Sequence, residues 1–210
     1  MRALFGNRIY SDNFTEPFEK GGMAGHVDLP RLSKGKVGGT FWSVFVPCPA
    51  KNMDFSDENY AASVRATTEQ IDVMTRLQKQ HPEVFSTSPN GTTGLQAFKD
   101  GKIISPLGIE GLHSIGNSLA QLRTFYDLGV RYATLTHNCA NIYADAALVG
   151  VPGGGIKIAD PVNHGVSAAG RDLVLEMNRL GMIVDLSHTS VETMLEGDHL
   201  SLHLSLTWSI

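Results

Sequence analysis

Three side chains of types that bind metal ions in enzymes each lie at the end of an apolar segment. Glu110 ends "GKIISPLGIE", His137 ends "VRYATLTH" and His188 ends "MIVDLSH". Carboxylate and imidazole groups suit a hard or borderline divalent ion such as zinc, and a carboxylate can bridge two ions. A single histidine at the end of a strand is more often a structural residue, but three ligand-type side chains at equivalent positions favour a shared polar site. The chemistry that such a site supports is metal-assisted hydrolysis.

Strands and helices alternate along the chain in a way that brings these three side chains to equivalent places. The segments predicted to be strands are residues 38–46, 101–111, 130–137 and 182–188. Apolar residues at helical spacing predict helices around residues 64–77, 115–125 and 173–180. Gly129 and Gly181 stand where left-handed caps end helices. The alternation indicates an α/β fold with a parallel sheet, open or closed as a barrel, in which functional groups lie at the carboxyl ends of the strands.

Two other stretches look like functional motifs. His26 and Asp28 in "GHVDLP" have the spacing of a metal-binding pair on a strand, although a polar loop ending at Pro30 is the commoner origin of this short pattern. The glycine-rich residues 151–160 lack the Gly-Lys-Ser/Thr ending of a phosphate-binding loop and are predicted to form a flexible loop. The chain has no Gly-x-Ser-x-Gly elbow and no H-E-x-x-H helix, so these rival hydrolase schemes find little support.

The composition is that of one globular domain that can bury a sizeable core. Of 210 residues, 42% are hydrophobic and 18% are charged, and the formal charge of −4 offers no basic surface for nucleic acid. The sequence contains no apolar run long enough to cross a bilayer and no signal-peptide apolar region, so the chain as written is expected to be soluble and untargeted. Cys48 and Cys139 are too few for a disulfide framework, and composition alone favours two free buried thiols.

Three longer segments closely resemble the membrane (renal) dipeptidase family of zinc metallopeptidases. They are "GGTFWSVFVPC", "GIEGLHSIGNSLAQLRTFYDLGVRYATLTHNCAN" and "NRLGMIVDLSHTSVETM", and the resemblance covers nearly all of residues 1–196. Residues 197–210 are expected to form a divergent C-terminal tail. The resemblance implies a (β/α)8 TIM-type barrel, partial in this chain, with a two-zinc centre that hydrolyses dipeptides, including some with a C-terminal D-residue.

The same resemblance implies roles for five residues. Glu110 is similar to the carboxylate that bridges the two zinc ions, and His188 is similar to an imidazole ligand of the second zinc. His137 is similar to the family histidine that contacts the substrate and helps to stabilise the tetrahedral intermediate. Cys48 and Cys139 match a disulfide pair of the family, which weakens the expectation of free thiols.

The resemblance also predicts that the chain is incomplete at both ends. "GHVDLPRLSKGKVGG" resembles a loop that leads into a strand, so His26 and Asp28 are not expected to be the family's His-x-Asp ligands, which would precede the first residue. After the third segment the family continues to another zinc-binding histidine, where this chain has residues 207–209, "TWS". His199 and His203 are expected to be accidental neighbours of that position rather than replacements.

Because Glu110 and His188 are the zinc ligands of the family that the chain retains, the chain as given is expected to be inactive. Two functions of different classes stay open. One is an incomplete version of a zinc dipeptidase, and the other is a shortened chain that acts as a non-catalytic pseudoenzyme or binding partner. A third interpretation is a different amidohydrolase on a similar barrel. The expected partner is a dipeptide substrate, with no nucleic acid and no transmembrane segment, and a homodimer is compatible with the sequence.

The cysteine pair and two glycosylation sequons bear on the compartment. A disulfide persists in an oxidising compartment, and the sequons Asn13-Phe14-Thr15 and Asn90-Gly91-Thr92 are consistent with secretory passage. The complete protein is therefore expected to be secretory or extracellular, although this chain has no recognisable signal peptide.

Overall fold

The structure of the protein is a computed structural model that describes residue 9 and residues 11–51, 53–86, 90–151 and 153–205. The helices are α1 (Asp12–Lys20), α2 (Leu29–Lys34), α3 (Asp57–Gln80), α4 (Gly91–Lys99), α5 (Leu119–Asp127), α6 (Ala168–Leu180) and α7 (Val191–Ser205), with a short 3-10 helix at Leu112–Ile115. The strands are β1 (Trp42–Phe45), β2 (Leu107–Glu110), β3 (Val130–Thr134), β4 (Leu148–Gly150), β5 (Ile156–Ile158) and β6 (Ile183–Asp185). The chain divides into two compact units.

The first unit contains the residues up to Trp42 together with Glu69–Pro106. Its core includes the apolar face of α1, where Phe14 and Phe18 are one helical turn apart and stack with ring centroids 5.2 Å apart. Val73 and Leu77, also one turn apart, bring the second half of α3 into the same buried cluster. The spacing of four residues puts each pair on one helix face. Leu77 and Met74, which packs against the same cluster, belong to the apolar stripe predicted for α3, whereas Val73 does not.

Asp28 has a structural role in the first unit. Its buried carboxylate caps α2 by accepting a hydrogen bond from the backbone N–H of Arg31 at 2.9 Å, and it also accepts one from the backbone N–H of Gly22, outside the helix, at 3.1 Å. The Nε of Arg31 donates to the same carboxylate at 2.8 Å. His26 is exposed, and within the described part of the chain neither residue belongs to a group of three possible metal ligands. The carboxylate of Asp28 is therefore used to begin a helix.

The second unit contains Ser43–Thr68 and the residues from Leu107 onward, and its main sheet has the strand order β1-β2-β3-β6. β2 pairs in parallel with β3, and β3 pairs in parallel with β6. Their last residues are in register, with Glu110 opposite Thr134 and Thr134 opposite Asp185. Because α5 precedes β3 and α6 precedes β6, helices connect strands of the same direction, and the predicted α/β fold is confirmed.

The helices next to this sheet end at the glycines that the sequence predicts, whereas their first residues, Leu119 and Ala168, were not predicted. The Ser118 and Ser167 side chains accept hydrogen bonds from backbone N–H groups in the first turns of α5 and α6. α6 ends at Gly181 in the left-handed conformation, and Gly129 follows α5 with a φ of 105°. These caps set the point at which each helix gives way to a strand.

The strands are shorter than the sequence predicts. β3 ends at Thr134 and β6 ends at Asp185, whereas the predicted strands continued to His137 and His188. His188 has a φ of 64°, which an extended strand does not allow, and His137 forms an isolated bridge with Cys139. Both histidines therefore lie in loops just beyond the strands.

The glycine-rich residues 151–160 were predicted to be a flexible loop, but part of this segment is in a hairpin. β4 and β5 pair in antiparallel fashion, with Leu148 opposite Ile158 and Gly150 opposite Ile156. Gly153, which lies between the two strands, has a φ of 85°, a conformation that glycine adopts without a Cβ clash. The glycines thus reverse the chain locally.

The C-terminal helix α7 crosses the predicted boundary between residues 196 and 197, and that boundary stays a prediction. Residues 207–209 and the side chain of His203 lie outside the described residues. Among the helices that the structure describes, none has the length and apolar character needed to span a membrane.

Candidate metal centre

Glu110, His137 and His188 come together at the carboxyl end of the sheet in the second unit. Glu110 is the last residue of β2, and the two histidines lie just beyond β3 and β6. One ligand atom from each of the three side chains lies within 4.8 Å of the other two. This is the arrangement expected when three neighbouring parallel strands end at one edge of a sheet.

The Glu110 carboxylate lies next to both imidazoles. Its Oε1 is 3.4 Å from Nε2 of His188 and 3.7 Å from Nε2 of His137. Zinc binds nitrogen and carboxylate oxygen at about 2.0–2.2 Å, so two ligands of one tetrahedral ion are roughly 3.3–3.6 Å apart. The separation between Glu110 and His188 therefore fits two ligands of a single ion, and His137 lies slightly farther away.

The environment of His137 favours a neutral ring. Burial lowers the pKa of His137, the neighbouring His188 lowers it further, and Glu110 opposes both effects by raising it. Because the net pKa is below the usual value, the imidazole is neutral near pH 7 and offers one N–H donor and one lone pair. Either function is useful beside a metal ion or a polarised carbonyl group.

Two polar side chains that support the cluster were not identified from the sequence. Ser43 on β1 donates a hydrogen bond to Oε2 of Glu110 at 3.0 Å, which leaves Oε1 for the histidines. Asp185 accepts hydrogen bonds from Thr134 Oγ1 at 2.5 Å and from the Ser187 backbone at 3.0 Å, so it fixes the start of the loop that carries His188. An aspartate at the end of an apolar strand, as in "VDLSH", can be identified from the sequence as a candidate site residue. A serine within a strand cannot.

The disulfide predicted from the family resemblance is present between Cys48 and Cys139, whose Cα atoms are 6.1 Å apart. The Sγ of Cys48 is 3.8 Å from Nδ1 of His137, the ring nitrogen that does not face Glu110. The Phe45 ring meets the His137 ring edge-on, with centroids 4.9 Å apart. His137 therefore has the disulfide near one ring nitrogen, Glu110 near the other and the Phe45 ring in edge-on contact.

Gly111, the residue directly after Glu110, allows the chain to pass close to two histidines. Its φ is 89°, and a Cβ added there would lie 2.6 Å from the His113 ring and 3.2 Å from the His137 Cβ. Any other residue would be strained in the backbone and would also displace the His113 ring.

We expect Gly111→Ala to lower the free energy of unfolding by on the order of 2 kcal/mol or more, because strain at positive φ adds to the clash with the two histidines. Urea denaturation measures this change. Gly150→Ala is the matched control, since nothing lies within 4 Å of the added Cβ, and it should change stability little. Equal stability of the two variants would contradict the close approach at Gly111.

A carboxylate and two imidazoles at the carboxyl ends of parallel strands are typical of metal-dependent hydrolases built on α/β barrels. His199, which lies on α7, belongs to neither of the two groups of possible metal ligands found in the described residues. The expectation that it does not replace a family ligand stays a prediction.

Comparisons with known proteins define the family. The model of the membrane dipeptidase family, peptidase family M19, matches residues 7–201. Dipeptidase tcpJ of Claviceps purpurea is 44% identical over 180 residues, which are 86% of this chain and 40% of that protein. An uncharacterised dipeptidase of Schizosaccharomyces pombe is 46% identical over 198 residues, or 92% of this chain and 45% of that protein. The structure of a metallopeptidase of Rhodobacter sphaeroides, solved with a phosphinate mimic of the dipeptide L-Ala-D-Ala, is also similar. The match covers 90% of this chain and 57% of that protein chain, with a TM-score of 0.72 and 22% sequence identity.

The chain therefore belongs to the membrane dipeptidase family, peptidase family M19. The likeness to the solved metallopeptidase confirms the predicted barrel type, of which the four-stranded sheet is a part. The chain spans less than half the length of the two curated relatives.

Proposed function

We propose that this chain supplies one side of the metal centre of a dipeptidase and that the complete protein hydrolyses dipeptides. The observation that carries the proposal is the 3.4 Å separation between Glu110 Oε1 and His188 Nε2 at the ends of strands β2 and β6. Membership of the M19 family makes peptide-bond hydrolysis the reaction that this geometry supports best.

The donor set fits zinc. Carboxylate oxygen and imidazole nitrogen are its usual ligands, and the hydrogen bond from Ser43 orients the Glu110 carboxylate as outer partners orient ligands in metal sites. We assign to Glu110 the role of a carboxylate shared by two ions and to His188 the role of a ligand of one of them. Bound zinc supplies Lewis acidity, which polarises a carbonyl group and lowers the pKa of a water molecule.

We assign His137 to the substrate rather than to the metal. Its Nε2 lies on the side of the Glu110 carboxylate, 3.7 Å from Oε1, and with the proton on this nitrogen the ring points a hydrogen-bond donor at the place where a peptide carbonyl would react. A fixed donor near an oxygen that gains negative charge stabilises the transition state. The neighbouring disulfide and Phe45 keep the ring in that orientation.

A dipeptide substrate is supported by the relatives. The curated relatives of Claviceps purpurea and Schizosaccharomyces pombe bear the name dipeptidase, and the Rhodobacter sphaeroides enzyme binds a phosphinate mimic of L-Ala-D-Ala. A phosphinate resembles the tetrahedral species formed when water adds to a peptide carbonyl. We therefore propose dipeptides, including some with a C-terminal D-residue, as the substrate class.

A chimera tests this function. Residues 7–201 of this chain, the part that matches the family, replace the corresponding part of the Claviceps purpurea dipeptidase. We expect the chimera to release amino acids from dipeptides, to lose this activity to a chelator and to regain it with zinc. The 210-residue chain alone is expected to show no turnover, because the two assigned ligands, Glu110 and His188, cannot complete the three protein ligands that a catalytic zinc usually has.

The same assay separates the alternatives. Turnover by the purified 210-residue chain above a metal-free blank would show that our assignment of an incomplete ligand set is wrong. A chimera that folds and binds zinc but leaves every dipeptide intact would favour the non-catalytic pseudoenzyme or binding partner. The parent dipeptidase, assayed in parallel, shows that the flanking segments are competent.

A further inference from the structure

A second group of possible metal ligands lies in the same unit, on the other side of His137. It consists of Cys48, His113 and Cys139, whose ligand atoms all lie within 4.8 Å of one another. Cys139 is 2% exposed and His113 is 0% exposed, while Cys48 is half-buried. None of the three residues belongs to the Glu110 group, and the proposed hydrolysis uses none of them as a ligand.

The orientation of His113 is that of a metal-binding histidine. Its Nε2 is 3.1 Å from the backbone carbonyl oxygen of Val46. A carbonyl oxygen accepts only from an N–H group, so Nε2 carries the proton and Nδ1 has the free lone pair. Burial lowers the pKa of His113, which favours this neutral form, although the hydrogen bond to Val46 opposes the shift.

The lone pair of His113 faces sulfur, because its Nδ1 lies 3.9 Å from the Cys139 Sγ. Histidines that bind metals usually donate their other N–H to a backbone carbonyl or a carboxylate, and Val46 already provides that partner. The outer hydrogen bond of a metal site is thus built before any metal arrives.

We propose that reduction of the Cys48–Cys139 disulfide creates a zinc site made of the two cysteine thiolates and Nδ1 of His113. A dithiol reductant opens the bond and is itself oxidised to a disulfide, which leaves two cysteine thiols. A zinc ion then displaces the two thiol protons and forms two Zn–S bonds and one Zn–N bond. The fourth position is left to water.

The distances suit this coordination. With Zn–S near 2.3 Å and Zn–N near 2.0–2.1 Å, tetrahedral ligands are roughly 3.8 Å apart for two sulfurs and about 3.6 Å apart for sulfur and nitrogen. The separation of 3.9 Å between His113 and Cys139 is already close to that value. The sulfurs must separate once their bond is broken, which needs side-chain rotation at Cys48, the more exposed of the two cysteines.

Zinc at this site would tie together the same two residues that the disulfide joins, which are 91 positions apart in sequence. A bound ion stabilises the folded state as its concentration rises above the dissociation constant. The reduced protein is therefore expected to regain through zinc much of the stability that it loses with the disulfide. In this way the site would exchange one cross-link for another when redox conditions change.

Cobalt spectroscopy of the 210-residue chain provides the test. The oxidised protein and the phosphine-reduced protein are titrated with Co²⁺, and zinc is then added. We expect thiolate-to-cobalt charge-transfer absorption in the reduced protein, its displacement by zinc, and one more zinc per chain than in the oxidised protein. Reduced protein without this band and without additional zinc would overturn the proposal.

Two variants identify the ligands. His113→Gln should weaken metal binding by the reduced protein at least about 10–100-fold, which is the effect of losing a group that hydrogen-bonds a metal ligand. His188→Gln, which alters the Glu110 group, should leave the cobalt–thiolate band intact. An unchanged affinity in His113→Gln would remove His113 from the site. Because neither readout involves a dipeptide, failure here is distinct from failure of the proposed hydrolysis.

A thermal measurement covers the case in which the reduced, metal-free chain unfolds. Zinc should raise the melting temperature of the reduced wild type by more than that of the Cys48→Ser/Cys139→Ser variant, which keeps the Glu110 group but lacks the thiolates. An equal zinc effect on the two proteins would contradict the thiolate site.

Discussion

Replacing Glu110 by glutamine in the chimera is expected to reduce both the zinc content and the rate of dipeptide hydrolysis, whereas His137→Ala should reduce the rate with zinc retained. The amide cannot supply the anionic oxygen that lies 3.4 Å from His188 and 3.7 Å from His137. We expect the affinity for zinc to fall at least about 10–100-fold in Glu110→Gln, because mutation of a group that merely hydrogen-bonds a metal ligand already causes a fall of that size. Loss of the donor at His137 should lower kcat by about 10²–10³-fold.

Metal analysis of the purified variants, together with initial rates at saturating zinc, measures both effects. His26→Ala is the control, because His26 is exposed and belongs to neither ligand group of the described residues. It should retain zinc and activity. Equal zinc loss in Glu110→Gln and His137→Ala would make His137 a ligand and our assignment of its role wrong.

The residues of this cluster could be predicted from the sequence because strand ends determine their positions. Glu110 ends an apolar segment, and parallel pairing in register brings it to the same edge as the ends of β3 and β6. The turn geometry could not be predicted. His188 leaves the strand through a positive φ, and the chain at Gly111, also at positive φ, passes close to His137, which lies beyond the next strand. Contacts of this kind depend on tertiary packing rather than on local periodicity.

The short helices of the first unit also could not be predicted from apolar spacing. α4 contains glycine and threonine, residues with modest helix propensity, so its sequence does not indicate a helix. It forms with a capping box in which the Asn90 side chain accepts from the Thr93 backbone and the Thr93 side chain accepts from the Asn90 backbone. Reciprocal caps of this type offset weak propensity because they satisfy the free N–H groups of the first turn. The same asparagine stands in one of the two sequons, and both Asn13 and Asn90 are exposed.

Loss of the disulfide is expected to be the largest change in stability of any substitution considered for this chain. The Cys48→Ser/Cys139→Ser variant removes a cross-link between positions 91 apart. For a loop of this length the chain-entropy model gives about 4–5 kcal/mol, which is an upper value because strain in the folded state reduces it. Urea denaturation in the presence of a chelator measures the difference, and the chelator excludes compensation by zinc. Reduced wild-type protein is the control and should match the variant.

Our proposal for the compartment rests on the same bond. We propose that the complete protein enters the secretory route, because a disulfide between Cys48 and Cys139 persists in oxidising compartments and is rare in the cytosol of most organisms. The exposed sequon asparagines Asn13 and Asn90 are consistent with glycosylation there. Non-reducing peptide mapping of native material should recover the two cysteine peptides as one linked species. If mapping finds both thiols free, the oxidised state is not the one in the cell, and the main reason to place the protein outside the cytosol is lost.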